Sequence, residues 1–379
     1  MRIRNLDKVT REGRVRIRCD VVWEDCSKEP AEVFFETEEP YGESLSLTAH
    51  PFLVGCFVPA MHFRERRIAL EDPVCPQLAE GLADAMALLA HWGGDAYRPL
   101  EIHAPRLGET LFPGRDRSAA LLMSGGIDSF AALLTNRQYY PEGHPGYVRE
   151  CLFIHGFEIG GVVRRGMKYP VYQRARQALA PVMEAAGTRL VPLYTNVRHL
   201  CDDRALWLGK FCGAVLAAGG HAFASRWDTL YIGSSYPVAH LVPCGTHPLL
   251  EPKYSSRDLP IFHKDLHLSR MDKIRLVADW EVALHNLRVC LANVEDRLNC
   301  GECEKCLRTM TGLAAVGALE RSRAFVADDV DLEKLSAFDI NIRHRDVFYR
   351  ELLGPLRQAG RHDIAEVIET MLARESRAP

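Results

Sequence analysis

Six consecutive residues, Ser124-Gly125-Gly126-Ile127-Asp128-Ser129, carry the parts of an anion cradle. An apolar run over 119–123 leads into them and an apolar helical pattern follows, so the order is strand, tight loop, helix start. The two glycines permit positive φ and a close backbone approach. The free N–H groups of the first helical turn then face negative charge, aided by the helix dipole. Ser124 and Ser129 can donate hydroxyl hydrogen bonds to phosphate oxygens. Asp128 alone would repel phosphate, so its natural use is to hold a Mg²⁺ that the phosphates also touch. Leu122, Met123 and Ile127 complete the stretch that would line a nucleotide. A Gly-Gly pair between strand and helix is by itself an ordinary turn, and the full string is what makes the reading specific. It lacks the Gly-Lys-Ser/Thr ending of a Walker loop, which points away from the common kinase and ATPase site.

A second cluster lies further along. Cys290, Cys300, Cys303 and Cys306 place four thiols within 17 residues. A Cys-x2-Cys pair turns two thiolates toward one point, and four of them complete the tetrahedral shell of a structural Zn²⁺. A redox dithiol or an iron–sulfur cluster is the competing reading. The compact spacing, with no thioredoxin-like flank, favours zinc. The other eight of the 12 cysteines read as small buried hydrophobes.

The elements that must position these groups change rhythm along the chain. Up to about residue 70 the pattern alternates as strands do, with candidates at 15–23, 31–37 and 52–58, followed by a helix over 76–92 and a strand at 100–103. This predicts a small antiparallel sheet with one buried face in a β-rich N-terminal domain, residues 1–115. It serves for packing or oligomerisation, which admits a homodimer, or as a platform for a macromolecular second substrate. From Arg117 strands and helices alternate, the signature of a parallel α/β sheet with right-handed crossovers. Strands are expected at 151–156, 189–194 and 229–235, and helices over 169–186 and 206–224. Ligands of such sheets sit at the carboxyl ends of the strands, which gathers the Ser-Gly-Gly loop, His155, Thr195-Asn196 and Gly233–Tyr236 around one crevice. His155 there invites a catalytic role or, better supported by its position, packing against adenine or ribose.

The stretch 236–268 has no period and is rich in Pro, Gly and His, which predicts a lid or acceptor loop. Ser269 reads as the N-cap of a helix whose first turn carries Arg270, placed either to grip a triphosphate or to face solvent. Beyond Cys306 the pattern is helical over 307–318, 332–336, 346–359 and 362–374, an all-α appendage (311–379) that packs on the core or docks a partner. Length favours two or three domains. Hydrophobic residues make up 47% and charged residues 26%, with a net charge of −3, so a nucleic-acid surface is not expected. No apolar run reaches the roughly 18 residues of a membrane helix. The first residues lack a signal-peptide core and the cysteines carry no secretory context, which predicts a cytoplasmic protein.

The Ser-Gly-Gly-x-Asp-Ser string resembles the PP-loop of the ATP pyrophosphatase superfamily, whose members adenylate a substrate and release pyrophosphate. Followed by the cysteine knuckle, it resembles the 7-cyano-7-deazaguanine synthase family over residues 117–310. The resemblance implies an adenine nucleotide alpha-hydrolase-like domain (116–310), ATP with Mg²⁺, and structural Zn²⁺ on Cys290, Cys300, Cys303 and Cys306. It also implies adenylation of 7-carboxy-7-deazaguanine, with Asp128, Ser129 and Arg270 as the catalytic set. Arg270 stands where the family has lysine, and the loops near Ser234 and Cys244 do not match its substrate loops. The extra domains favour the extended relatives of anti-phage operons, thought to join the acid to a protein's amino group, so a protein acceptor on either flanking domain is expected. The alternatives are ammonia as nucleophile, a tRNA-modifying enzyme using Cys212 or Cys244 for thiolation, another amidating PP-loop enzyme, or a nucleotide-sensing subunit without catalysis.

Overall fold

The computed structural model describes residues 1–114, 116–159, 161–162, 166–340 and 345–375. The strands are β1 (Arg2–Arg11), β2 (Arg14–Val22), β3 (Ala31–Glu38), β4 (Arg67–Leu70), β5 (Glu101–His103), β6 (Ser118–Leu122), β7 (Val148–His155), a two-residue hairpin β8 (Gly161–Val162) and β9 (Gly166–Met167), β10 (Arg189–Thr195), β11 (Trp227–Gly233) and β12 (Ile261–Lys264). All but the hairpin form one ten-stranded sheet in the order β12-β11-β6-β7-β10-β3-β2-β1-β4-β5. The half from β12 to β10 is parallel, as the alternating pattern predicts.

The helices in chain order are α1 (Glu39–Gly42), α2 (Ala49–His62), α3 (Pro76–Gly93), α4 (Ile127–Tyr139), α5 (Tyr169–Ala185), α6 (Arg204–Leu206), α7 (Cys212–His221), α8 (Arg270–Ala278), α9 (Glu281–His285), α10 (Glu304–Ala315), α11 (Leu332–Ser336), α12 (Asp346–Arg350), α13 (Leu353–Gln358) and α14 (His362–Glu375). They cover both faces. Ala120, Leu122, Leu152 and Ile154 pack with α2, α3 and α7, while the alternate residues Ala119, Leu121, Cys151 and Phe153 pack with α4, α5, α8, α10 and the C-terminal helices. The period of two along each strand divides the molecule into these two cores.

Four expectations change. Residues 52–58 are helix, not strand, because the run is apolar on every side and α2 is buried on every side; such a run has no period to separate a buried helix from a buried strand. The N-terminal strands do not form a sheet of their own: β3 pairs antiparallel with β10, Thr195 opposite Phe35, and extends the central sheet. The 236–268 stretch is not all loop, since it supplies β12 at the edge of the sheet. The helix expected over 206–224 is interrupted by a π-turn, Trp207–Phe211, ahead of α7. Residues 341–344 and 376–379 of the expected appendage lie outside the described residues. No helix among those described is long and apolar enough to cross a membrane.

Candidate active site and metal centre

The Ser-Gly-Gly loop sits where β6 ends and α4 begins. Only Gly125 takes the left-handed conformation, φ +76°, whereas Gly126 caps α4 in an extended one. Gly126 keeps the loop close: a Cβ there would lie 3.3 Å from the Ser124 hydroxyl and 3.4 Å from the Arg288 carbonyl, a tight fit that the serine side chain would have to accommodate. Ser129 Oγ donates to the Gly126 carbonyl at 3.0 Å, and the Ser124 and Ser129 hydroxyl oxygens are 3.3 Å apart. The Gly126 N–H donates to Ser124 Oγ at 3.3 Å. The loop is thus closed on itself by the hydroxyls expected to face phosphate.

Asp128 projects from the first turn of α4. Arg270 Nη1 donates to its Oδ1 at 2.7 Å, and Lys273 Nζ lies 3.9 Å from the same oxygen. Both cations come from the start of α8, which the sequence places correctly. Ser269 Oγ accepts from the Asp272 N–H at 3.1 Å while Asp272 accepts from the Ser269 N–H at 3.0 Å, a capping box that fixes the first turn. Lys273 is completely buried. It donates to the Ser234 carbonyl at 2.6 Å and hydroxyl at 2.8 Å, tying α8 to the end of β11. Burial lowers its pKa and the charge of Asp128 opposes that.

Asp128 and Arg270 line a cavity of about 660 Å³ at the carboxyl ends of β6, β7 and β11. Leu122, Met123, Ser124, Gly126, Ile127, Asp128, Ser129 and Arg270 all line it. Gly125 does not; its carbonyl accepts the Arg288 N–H at 2.8 Å. His155 is also absent from the wall. It is fully buried, stacked on Tyr169 at 4.6 Å and set edge-on to Tyr172 at 5.1 Å, on the other side of its strand.

The sequence reading missed four further cations on the wall: Arg288, Lys305, Arg308 and Arg345. With Arg270 they make five, against the three carboxylates Asp128, Glu158 and Glu304. Glu304 is shared by Arg308 at 3.3 Å and Arg345 at 3.4 Å, and accepts from the Tyr349 hydroxyl at 3.2 Å. Burial lowers the Arg288 pKa, with Glu158 opposing. Among these pairs only Glu304 and Arg308 could be seen in the sequence, as an i,i+4 pair on a helix.

Comparison with known proteins gives no match among family models, curated proteins or solved structures.

The cysteines meet as expected. Cys290, Cys300, Cys303 and Cys306 place their sulfurs within 4.8 Å of one another, with Cys303–Cys306 at 3.4 Å, Cys300–Cys306 at 3.8 Å and Cys303–Cys290 at 4.0 Å. Thiolates about 2.3 Å from one zinc ion stand about 3.8 Å apart at the corners of a tetrahedron. The set could hold a metal such as zinc. Backbone N–H groups of Glu302 and Cys303 donate to Cys300 Sγ, and that of Ala292 to Cys290 Sγ, the outer contacts that orient ligating thiolates. Cys212 and Cys244 also face the cavity. Burial pushes the Cys244 thiol up to about 11 and raises that of Cys212 well above its usual value, so neither is poised as a thiolate near neutral pH.

Proposed function

We propose that the chain is a PP-loop ligase that uses ATP to adenylate a small carboxylic acid and passes the acyl group to a nitrogen nucleophile. The observation that carries this is the cavity's charge: five cations over three carboxylates, in the same space as the Ser-Gly-Gly loop and the start of α4. The surplus of two matches the roughly two negative charges left on a triphosphate paired with one divalent cation. Asp128 suits that cation, because Arg270 engages only Oδ1 and no hydrogen bond among the described residues reaches Oδ2. A hard cation takes one carboxylate oxygen and completes its shell from phosphate and water. Mg²⁺ there would neutralise and orient the phosphates.

The substrate carboxylate oxygen attacks the α-phosphorus, the bond to pyrophosphate breaks, and a mixed acyl–adenylate anhydride forms. An amine then attacks the acyl carbon, the C–O bond breaks and AMP leaves. The α4 N-terminus and the cationic wall hold the phosphates in line and receive the charge that builds on pyrophosphate. Fixed positive charge in a partly dry site is the strongest aid such a reaction can be given. The resemblance names 7-carboxy-7-deazaguanine as the acid, and a protein amine or ammonia as the nucleophile. The raised thiol pKa values of Cys212 and Cys244 weigh against a thiolating tRNA enzyme. Asp128 and five cations in one cavity weigh against a mere sensor. Incubation with ATP and 7-carboxy-7-deazaguanine, with and without a candidate acceptor protein, is expected to release AMP and pyrophosphate. No release under either condition overturns the reading.

A further inference from the structure

One corner of the cavity is built by the C-terminal helices. A Cβ on Gly312 of α10 would collide with Ile274 of α8, so the two helices are in close contact there. One turn nearer each N-terminus stand Arg308 and Arg270, both on the cavity wall. α12 reaches the same corner. Glu351, just past its end, accepts the Met271 N–H at 3.4 Å, in the first turn of α8. Phe348 of α12 stacks on Tyr236, ring centres 4.9 Å apart, and carries the Arg308 guanidinium 4.6 Å from its ring centre. Arg345, immediately before α12, lines the wall beside them.

Arg308 and Arg345 keep their bonding capacity. Glu304 lies 3.3 Å from Arg308 Nε and 3.4 Å from Arg345 Nη1. Both contacts are ion pairs without hydrogen-bond geometry, and Glu304 Oε1 instead accepts from the Tyr349 hydroxyl at 3.2 Å. Neither guanidinium forms a side-chain hydrogen bond among the described residues, and Arg308 Nε is buried without one. Each guanidinium carries a rigid fork of N–H donors. One carboxylate therefore offsets the charge of one of the two arginines and occupies none of their donors. The cation–π contact with Phe348 helps to fix the plane of Arg308. Charged donors left unsatisfied in a partly buried site have a cost, which a ligand rich in anionic oxygens removes.

We propose that Arg308 and Arg345 clamp the two terminal phosphates of the bound nucleotide, so that α12 belongs to the phosphate site. This rests on the adenylation reading of the same cavity and names residues beyond the Ser-Gly-Gly loop that would hold pyrophosphate as its bond to the α-phosphorus breaks. A divalent cation on Asp128 would bridge the β- and γ-phosphates. Arg270 engages Asp128, and Arg308 stands one turn before the same α8–α10 contact, which puts the clamp at the terminal phosphates. Guanidinium forks match phosphate oxygens through paired, charge-assisted hydrogen bonds.

The test is calorimetric binding of ATP, AMP and inorganic pyrophosphate, each with Mg²⁺, to the full chain and to Arg308→Met and Arg345→Met. The parent is expected to bind ATP at least about tenfold tighter than AMP. Either variant should lose at least about tenfold in affinity for pyrophosphate and ATP while binding AMP within about twofold of the parent, as the loss of charged hydrogen bonds at one end of the ligand implies. A parent that binds ATP no tighter than AMP overturns the proposal whether or not the variants fold. So does a folded variant that keeps its pyrophosphate affinity, or one that loses AMP as steeply as ATP. Pyrophosphate binding that depends on both arginines, without AMP release from 7-carboxy-7-deazaguanine, supports the clamp and defeats adenylation of that acid. AMP release at the parent rate by a folded Arg345→Met does the reverse.

Discussion

At the scale of single residues, Asp128 and Lys273 occupy neighbouring places with different demands. Asp128 is partly exposed and meets Arg270 at 2.7 Å, so the fold depends little on its charge, and under the proposed reaction the ligand depends on it strongly. Under the proposed reaction, Asp128→Asn is expected to cut AMP formation at least about a hundredfold, because it removes the charge that would hold the divalent cation on the phosphates. Its melting temperature should stay within a few degrees. Lys273→Met should instead lower both, by about 1–3 kcal/mol in stability, because it leaves the buried Ser234 carbonyl and hydroxyl without their donor. Equal melting-temperature losses for the two variants, read by calorimetry, would contradict this division. The Ser-Gly-Gly loop was legible in the sequence because its six residues are adjacent and their geometry is local. Arg288, Arg308 and Arg345 were not: each comes from a different segment, and only folding brings them to one wall. His155 misled because its place at a strand end says nothing of which side its ring takes.

Elements carry two further consequences. The cysteine knuckle closes directly onto α10, whose first residues, Glu304, Lys305 and Arg308, face the cavity. Metal analysis should give one zinc per chain, and its removal by a chelator is expected to loosen α10 and weaken ATP binding at least about tenfold. Iron, no metal, or ATP binding that survives stripping would separate the knuckle from the site. On the opposite face, α2 and α7 bring His50 and His221 to 5.7 Å, both buried and neutral. His50 Nε2 accepts from the Cys75 N–H at 3.0 Å, a bond that protonation at that nitrogen destroys. Burial takes the two down to about 3 and about 4, and it lowers His62, His199 and His247 as well. The unfolded chain then binds the extra protons, so this stability is complete above about pH 6.5 and falls as pH drops toward 4. Each of the two would lose roughly 2 kcal/mol by pH 5. The urea midpoint should fall between pH 7 and 5; a midpoint that does not move would refute it. Caps made elements legible, as the Ser269–Asp272 box did for α8. Where a run is apolar throughout, as in α2, or as short as β12, the pattern holds no choice between helix, strand and loop.

On the scale of the whole molecule, the sheet does not stop where composition changes. At the seam Thr37 Oγ1 donates to the Pro192 carbonyl and Thr195 Oγ1 to the Phe34 carbonyl, each at 2.6 Å. The Asn196 side chain clamps the Phe34 N–H at 2.9 Å and the Glu32 carbonyl at 2.7 Å, and Arg176 pairs with Glu38. Beneath it, α2 packs so closely that a Cβ on Gly55 would come within 2.7 Å of Val197. Phe35, Phe52, Val197, Val215 and Phe223 belong to one apolar core. Sequence patterning could mark each strand but not this seam, since an edge strand and a central one differ only in what lies beside them. A chain beginning at residue 116 would bare the edge of β10, with its unpaired N–H and C=O groups, and the apolar side of α7. Such an edge invites aggregation. That shortened chain is expected to be insoluble or unfolded, while the full chain unfolds in one transition by both fluorescence and circular dichroism. A soluble, monomeric 116–379 with a cooperative transition would mean that the half carrying the cavity is self-sufficient and that the first 115 residues only rest against it.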